Sequence, residues 1–303
     1  MDLVSIGTAE TIEELRRRLE LEKRFLTQEG LKVDTNETSK GEFTFIGLTL
    51  SEPNLSGKAR RLFRHYLANA LSDVIVNDWE KRYIDRLLKV NYSYFTPDEQ
   101  AVIKELADQQ LDRGYGIETK RALARIDRKG RIFERLKSFL ENVDELVMEG
   151  FIAFRCKDYL VEVEDALDHA IDDFMLEKEY KEFIRLLKYF VDVQEPKIDE
   201  VHVIYGGPNL FRLVDSHDNV ISNEYLEEIV VEMVDSDINY EDLLISALIT
   251  IAPRRITLHC PGDLKRSEGI QTIVNVFTGR VTFCRGCKLC QPGQSATVTE
   301  KKP

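Results

Sequence analysis

The sequence predicts an α+β protein: a largely helical central body with a small N-terminal α/β module and a C-terminal mixed α/β domain containing a hairpin and a βαβ unit. Three patterns predict it. Apolar residues recur at helical spacing from about residue 57 to 190, shorter alternating runs lie on either side, and glycine and proline turns separate the later runs. The domain organisation that follows is an N-terminal module over 1–52, a helical body over 53–196, a C-terminal domain over 197–291 and a disordered tail over 292–303.

Leu3-Val4-Ser5-Ile6 reads as a first strand. Thr11-Ile12-Glu13-Glu14 opens a helix through Leu15, Leu19 and Phe25, with Arg16, Arg17 and Arg18 on its charged face and Gly30 as its stop. Phe43 to Leu50 alternates like a half-buried strand after a polar turn region over Asn36 to Gly41. In the helical body, Leu62, Tyr66, Leu67, Ala70, Val74 and Ile75 share a face. Thr96-Pro97-Asp98-Glu99 combines an N-cap, a first-turn proline and a capping-box glutamate. Gly114-Tyr115-Gly116 and Gly130 offer breaks before a stripe of Ile132, Leu136, Phe139 and Leu140 that Val143, Leu146 and Val147 continue. A long helix then runs from Leu160 to Phe190, and Pro196 closes the body.

Beyond it, Val201 to Tyr205 and Leu210 to Val214 flank Gly206-Gly207-Pro208-Asn209, turn chemistry that suits a hairpin rather than a phosphate loop, since it lacks the P-loop lysine and hydroxyl residue. A helix through Leu226, Ile229, Val230 and Met233 and another over Tyr240 to Ile251 follow. Ile256 to Cys260 is then a strand, Leu264 to Phe277 a helix and Arg280 to Cys284 another strand.

Forty-two basic residues against 54 acidic ones leave a net charge of -12, which repels phosphate backbones, so nucleic acid is not an expected partner. The basic stretch Lys120 to Arg135 is interleaved with apolar positions and reads as helix surface. The first residues form no signal peptide, and no run reaches the roughly 20 apolar residues of a membrane span. The chain reads as cytoplasmic, with no membrane insertion.

Two segments carry a resemblance. Glu149-Gly150-Phe151-Ile152-Ala153-Phe154-Arg155 runs on into Lys157-Asp158-Tyr159, and Glu177 to Ile184 leads to Tyr189-Phe190-Val191. With the stretch from Gln194 to Val203 and the cysteine-rich end, they resemble the YtxC-like family of putative sporulation proteins of spore-forming bacteria. The resemblance is clearest over about 140 to 290. It implies a link to spore formation and carries over no catalytic residue.

Cys284-Arg285-Gly286-Cys287-Lys288-Leu289-Cys290 is a C-x-x-C-x-x-C run, which lets thiolates converge on one ion or cluster from a tight turn. The expected metal ligands are Cys260, Cys284, Cys287 and Cys290. Parallel strands over 256–260 and 280–284, joined by the intervening helix, would put Cys260 beside Cys284. Zinc would take four thiolates, or three with His259. An iron–sulfur cluster is the alternative, because a cysteine trio with a remote Cys260-Pro261 resembles bacterial ferredoxins, although no cysteine follows Cys290 at the ferredoxin spacing. A redox dithiol of Cys284 and Cys287, an activated Cys260 thiolate and ordinary reduced cysteines stay open as well.

Asp165, His169 and Asp173, with Asp168 and Asp172, could form a helix-face site, but a solvated acidic face accounts for them. Arg254, Arg255, Lys265 and Arg266 make a small basic zone beside His259 that also reads as solvated surface. The expected function is that of a non-enzymatic cytosolic sporulation factor that binds a protein partner and has a metal-stabilised C-terminal domain. The competing expectation is a redox or iron–sulfur protein; a closed four-coordinate site would favour the first and an open position the second.

Overall fold

In the computed structural model, which describes residues 2–51, 57–112, 118–207, 210–221, 240–260, 265 and 267–290, the opening apolar run forms β1 (Asp2–Thr8). It is followed by α1 (Ile12–Gln28), then β2 (Val33–Lys40) and β3 (Phe43–Leu50). β1 pairs antiparallel with β3 along its whole length, and β3 pairs antiparallel with β2. The polar stretch expected as a turn over 36–41 is therefore mostly strand: β2 is an edge strand, exposed at all but its first residue, and so carries no period-two apolar signal. Gly41, at φ 64°, forms the two-residue turn that brings Lys40 opposite Phe43.

The helices are α2 (Gly57–Val74), continued by a π-helical turn over Ile75–Trp79, α3 (Glu80–Asn91), α4 (Pro97–Asp112), α5 (Glu118–Leu140), α6 (Met148–Arg155) and α7 (Lys157–Val193). α4 starts at the expected capping box: the Thr96 backbone N–H donates to Glu99 Oε2 at 2.8 Å, and the Glu99 N–H donates to Thr96 Oγ1 at 3.3 Å. Gly130 does not break α5. It is an exposed position, while Arg128, Ile132, Leu136 and Leu140 keep the helix anchored through its buried face. Residues 145–147 do not continue the helical stripe but form β4 (Glu145–Val147), a strand too short to show a period, parallel to β1. The glycines at 114 and 116 and the 222–233 helix lie outside the described residues, as does the tail from 291.

The chain divides into two units, Met1–Leu176 and Glu177–Pro303. The physical reason is visible in the first core: Val4, Ile6 and Leu48 of the sheet belong to one buried cluster with Leu15, Phe63, Ile84, Ile103, Leu136, Ile152 and Leu167 of the helices. A four-stranded sheet has an apolar face to cover, and the helices cover it.

The second unit has its own sheet. β5 (Glu200–Gly207) and β6 (Leu210–Asp215) are the antiparallel hairpin, and Pro208 and Asn209 lie outside the described residues. α8 (Tyr240–Ile251), β7 (Arg255–His259), α9 (Glu268–Val276) and β8 (Val281–Phe283) follow. The strand order is β6-β5-β7-β8, with β7 parallel to both β5 and β8. The βαβ unit of the sequence reading is thus β7-α9-β8. Val201, Val203, Ile256 and Leu258 pack with Leu248 of α8, Ile273 of α9 and Val191 of α7. Strand alternation turns the residues between them, Glu200, His202, Thr257 and His259, to the other face.

Candidate metal centre

His259 ends β7, and β8 runs beside it in register Thr257↔Thr282, Leu258↔Phe283. The Cys284 N–H extends that ladder, donating to the Leu258 carbonyl at 2.9 Å, so Cys284 follows β8 directly at the level of His259. The chain then turns at Gly286, whose φ of 115° is open to glycine and strained for other residues, and the Gly286 N–H lies 3.4 Å from Cys284 Sγ. A single 3₁₀ turn, Lys288–Cys290, ends the loop and lies against β5. Its Cys290 N–H donates to the Cys287 carbonyl at 3.1 Å.

This path brings four donors together. His259, Cys284, Cys287 and Cys290 each place one ligand atom within 4.8 Å of all the others. His259 Nδ1 lies 3.3 Å from Cys287 Sγ and 3.3 Å from Cys290 Sγ, and the two sulfurs are 3.9 Å apart. With bonds of about 2.3 Å to sulfur and about 2.0 Å to nitrogen, a tetrahedral zinc ion separates its donors by about 3.5–3.8 Å. The observed edges bracket that separation. Of the expected ligands, Cys260 is not among the four: it packs against the apolar cluster on the opposite face of the sheet, and His259 stands in the fourth position.

Protonation favours metal binding at His259 and Cys287, while burial and the neighbouring Cys284 and Cys287 push the Cys290 thiol up. Burial, reinforced by the neighbouring His202, holds the His259 imidazole below its ordinary pKa, in the neutral form that ligates a metal. Burial opposes ionisation of Cys287, yet hydrogen bonds from the Leu289 and Cys290 backbone and from Cys284 hold its thiol below the ordinary value. Burial pushes Cys260 up, only partly offset by Lys265, as suits an inert packed thiol.

Two residues beside the donors had not been singled out in the sequence. His202 Nδ1 lies 2.9 Å from His259 Nε2, and His202 Nε2 faces Glu200 Oε1 at 3.8 Å. The available signal was the alternation of Glu200 and His202 with Val201 and Val203, two polar residues on one face of an otherwise apolar strand. The acidic helix face, by contrast, is solvated and locally bonded. Tyr92 donates its hydroxyl hydrogen to Asp168 Oδ1 at 2.8 Å, Gln110 Nε2 donates to Asp173 Oδ2 at 2.6 Å, and His169 Nδ1 contacts the Asp165 carbonyl at 2.6 Å. Among the described residues no helix is long and apolar enough to cross a membrane.

Fold and site together define a two-unit α+β protein whose second sheet carries a His-Cys₃ donor set on its polar face. The chain belongs to the YtxC-like family, which it matches over residues 65–282, a span that includes His202 and His259 and stops just before Cys284. A relative from Bacillus subtilis (strain 168), described as the uncharacterised protein YtxC, is 27% identical over 205 residues, covering 67% of this chain and 70% of its own. No solved structure matches the chain.

Proposed function

We propose that this protein is a non-enzymatic, cytosolic, sporulation-associated factor that binds a protein partner, with its second unit fastened by a zinc ion on His259, Cys284, Cys287 and Cys290. The convergence of those four donors, with edges of 3.3–3.9 Å among three of them, carries the reading. Four protein ligands fill a tetrahedral shell and leave no position for a substrate, which favours a structural role over a catalytic one. Clustered free thiols are stable in a reducing compartment, which supports the cytosol. The link to spore formation rests on the YtxC-like resemblance.

A four-iron cluster would place each thiolate on a different iron and spread the sulfurs further apart than the 3.9 Å between Cys287 and Cys290. That separation favours a single ion.

The test is elemental analysis with an ultraviolet–visible spectrum on protein purified without oxygen. One zinc per chain and a colourless solution are expected. Iron with visible absorption would replace zinc by a cluster, and a metal-free, well-folded protein would end the metal reading. Deleting the gene from a spore-forming host and counting heat-resistant spores tests the sporulation link; an undiminished count would remove it.

A further inference from the structure

We infer that a metal at this centre takes His259 through Nδ1, and that His202, backed by Glu200, is the positioning residue that holds the imidazole for it. The inference rests on the metal reading above. An imidazole has two nitrogens, and here they face different partners: Nδ1 lies 3.3 Å from two sulfurs, and Nε2 lies 2.9 Å from His202 Nδ1. A metal on Nδ1 leaves Nε2 protonated, so Nε2–H donates and His202 Nδ1 accepts. His202 then carries its own proton on Nε2, the nitrogen that faces Glu200 Oε1. Glu200 is fixed in turn: Thr257 Oγ1 donates to Oε1 at 3.3 Å and Arg255 donates to Oε2 at 3.2 Å. With the metal on Nδ1, the His259 Nε2–H has its acceptor in His202 Nδ1, and the His202 Nε2 proton faces the Glu200 carboxylate across an electrostatic contact of 3.8 Å, longer than a hydrogen bond.

The strands build the arrangement. In the β5–β7 register His202 stands opposite Thr257 and Ile204 opposite His259, so the two histidines are diagonal neighbours on one face. His259 is 5% exposed, and His202 Nδ1 is the partner its outer nitrogen meets at 2.9 Å. Such partners fix the tautomer and ring orientation of a metal-bound histidine, and their loss typically weakens metal binding about 10–100-fold.

The test uses the full chain loaded with zinc, with affinity measured by chelator competition for the wild type and for His202→Ala, His202→Gln and Cys287→Ser. Long-range proton–nitrogen NMR of ¹⁵N-histidine-labelled wild type reads which His259 nitrogen is protonated. His202→Ala is expected to bind zinc about 10–100-fold more weakly, and His202→Gln, whose amide oxygen can accept the same hydrogen bond, to recover most of the loss. The NMR is expected to show a protonated Nε2 and a metal-bound Nδ1. Wild-type affinity in His202→Ala, or a metal-bound Nε2, would overturn this inference; if Cys287→Ser still lost the metal, the centre itself would stand. A wild type that binds no zinc would instead remove the centre and the inference with it. The wild-type NMR needs no variant, so a poorly folding His202→Ala leaves the question decidable.

Discussion

His259 and Cys260 are adjacent in the chain and point to opposite faces of their sheet. His259 meets Cys287 and Cys290 on the polar face, and Cys260 packs into the apolar cluster behind it. Successive side chains of an extended strand alternate, so a one-residue step exchanges a ligand for a core residue.

That alternation separates two variants that look equivalent in the sequence. Cys260→Ser should keep stoichiometric zinc, at the modest stability cost of a hydroxyl in an apolar setting. His259→Ala and the double variant Cys284→Ser, Cys287→Ser should lose it. Elemental analysis of the three proteins decides, and a metal-free Cys260→Ser would return Cys260 to the ligand set.

Gly286 sits at φ 115° with open space where a Cβ would be. Gly286→Ala therefore meets backbone strain and no clash, at a cost of about 1–3 kcal/mol. The cost should appear as weaker zinc binding, because the strained turn is the one that closes the donor set. Chelator competition measures it, and unchanged affinity would mean that the loop closes some other way.

Chelation should loosen the second unit alone. The first unit has a separate core built on Phe63, Leu67, Ile84 and Leu136, and among the described residues the four converging donors all lie in the second unit. Hydrogen exchange followed by mass spectrometry should show protection lost over 255–260 and 267–290 on metal removal and retained over 59–76. Equal loss in both regions would count against a local structural ion.

The first unit offers a titration that is independent of metal. Hydrogen bonding to the Arg135 guanidinium, with Nη2 2.7 Å from Oδ2, holds Asp158 down at about 2, against its partial desolvation. A depressed carboxylate contributes stability that is complete above its unfolded pKa of about 3.9 and is lost as pH falls through the folded value. Both side chains are substantially exposed, so the contribution is small and screened by salt. Proton NMR titration should place Asp158 near 2 in the wild type and higher in Arg135→Ala, where the backbone hydrogen bonds from Asp158 and Tyr159 remain.

Gly7 lies opposite Phe45 across β1 and β3, and a Cβ there would come within 2.5 Å of the phenylalanine ring. Gly7→Ala should destabilise the first unit by about 1–3 kcal/mol, the usual cost of overpacking. Gly7→Ala combined with Phe45→Leu should recover part of it. Urea unfolding of the two variants reads the coupling.

The residues alone determined much of this protein. Helical periodicity and the Thr96 to Glu99 capping box placed the helices, period-two runs placed β1, β3, β5 and β7, and the C-x-x-C-x-x-C spacing marked three of the four donors. These features are local, set by backbone geometry within a few residues of each other. Elements without a local signature were decided by tertiary pairing: the polar edge strand β2 exists because β3 offers it a ladder, and the three-residue β4 because β1 does. The same holds for the site. Which of His259 and Cys260 faces the thiols depends on the face that α8 and α9 bury, and His202 reaches His259 only because β5 and β7, 57 residues apart at that contact, lie side by side. Spacing in the chain can bring donors to one turn, but only the packed sheet decides which face they share.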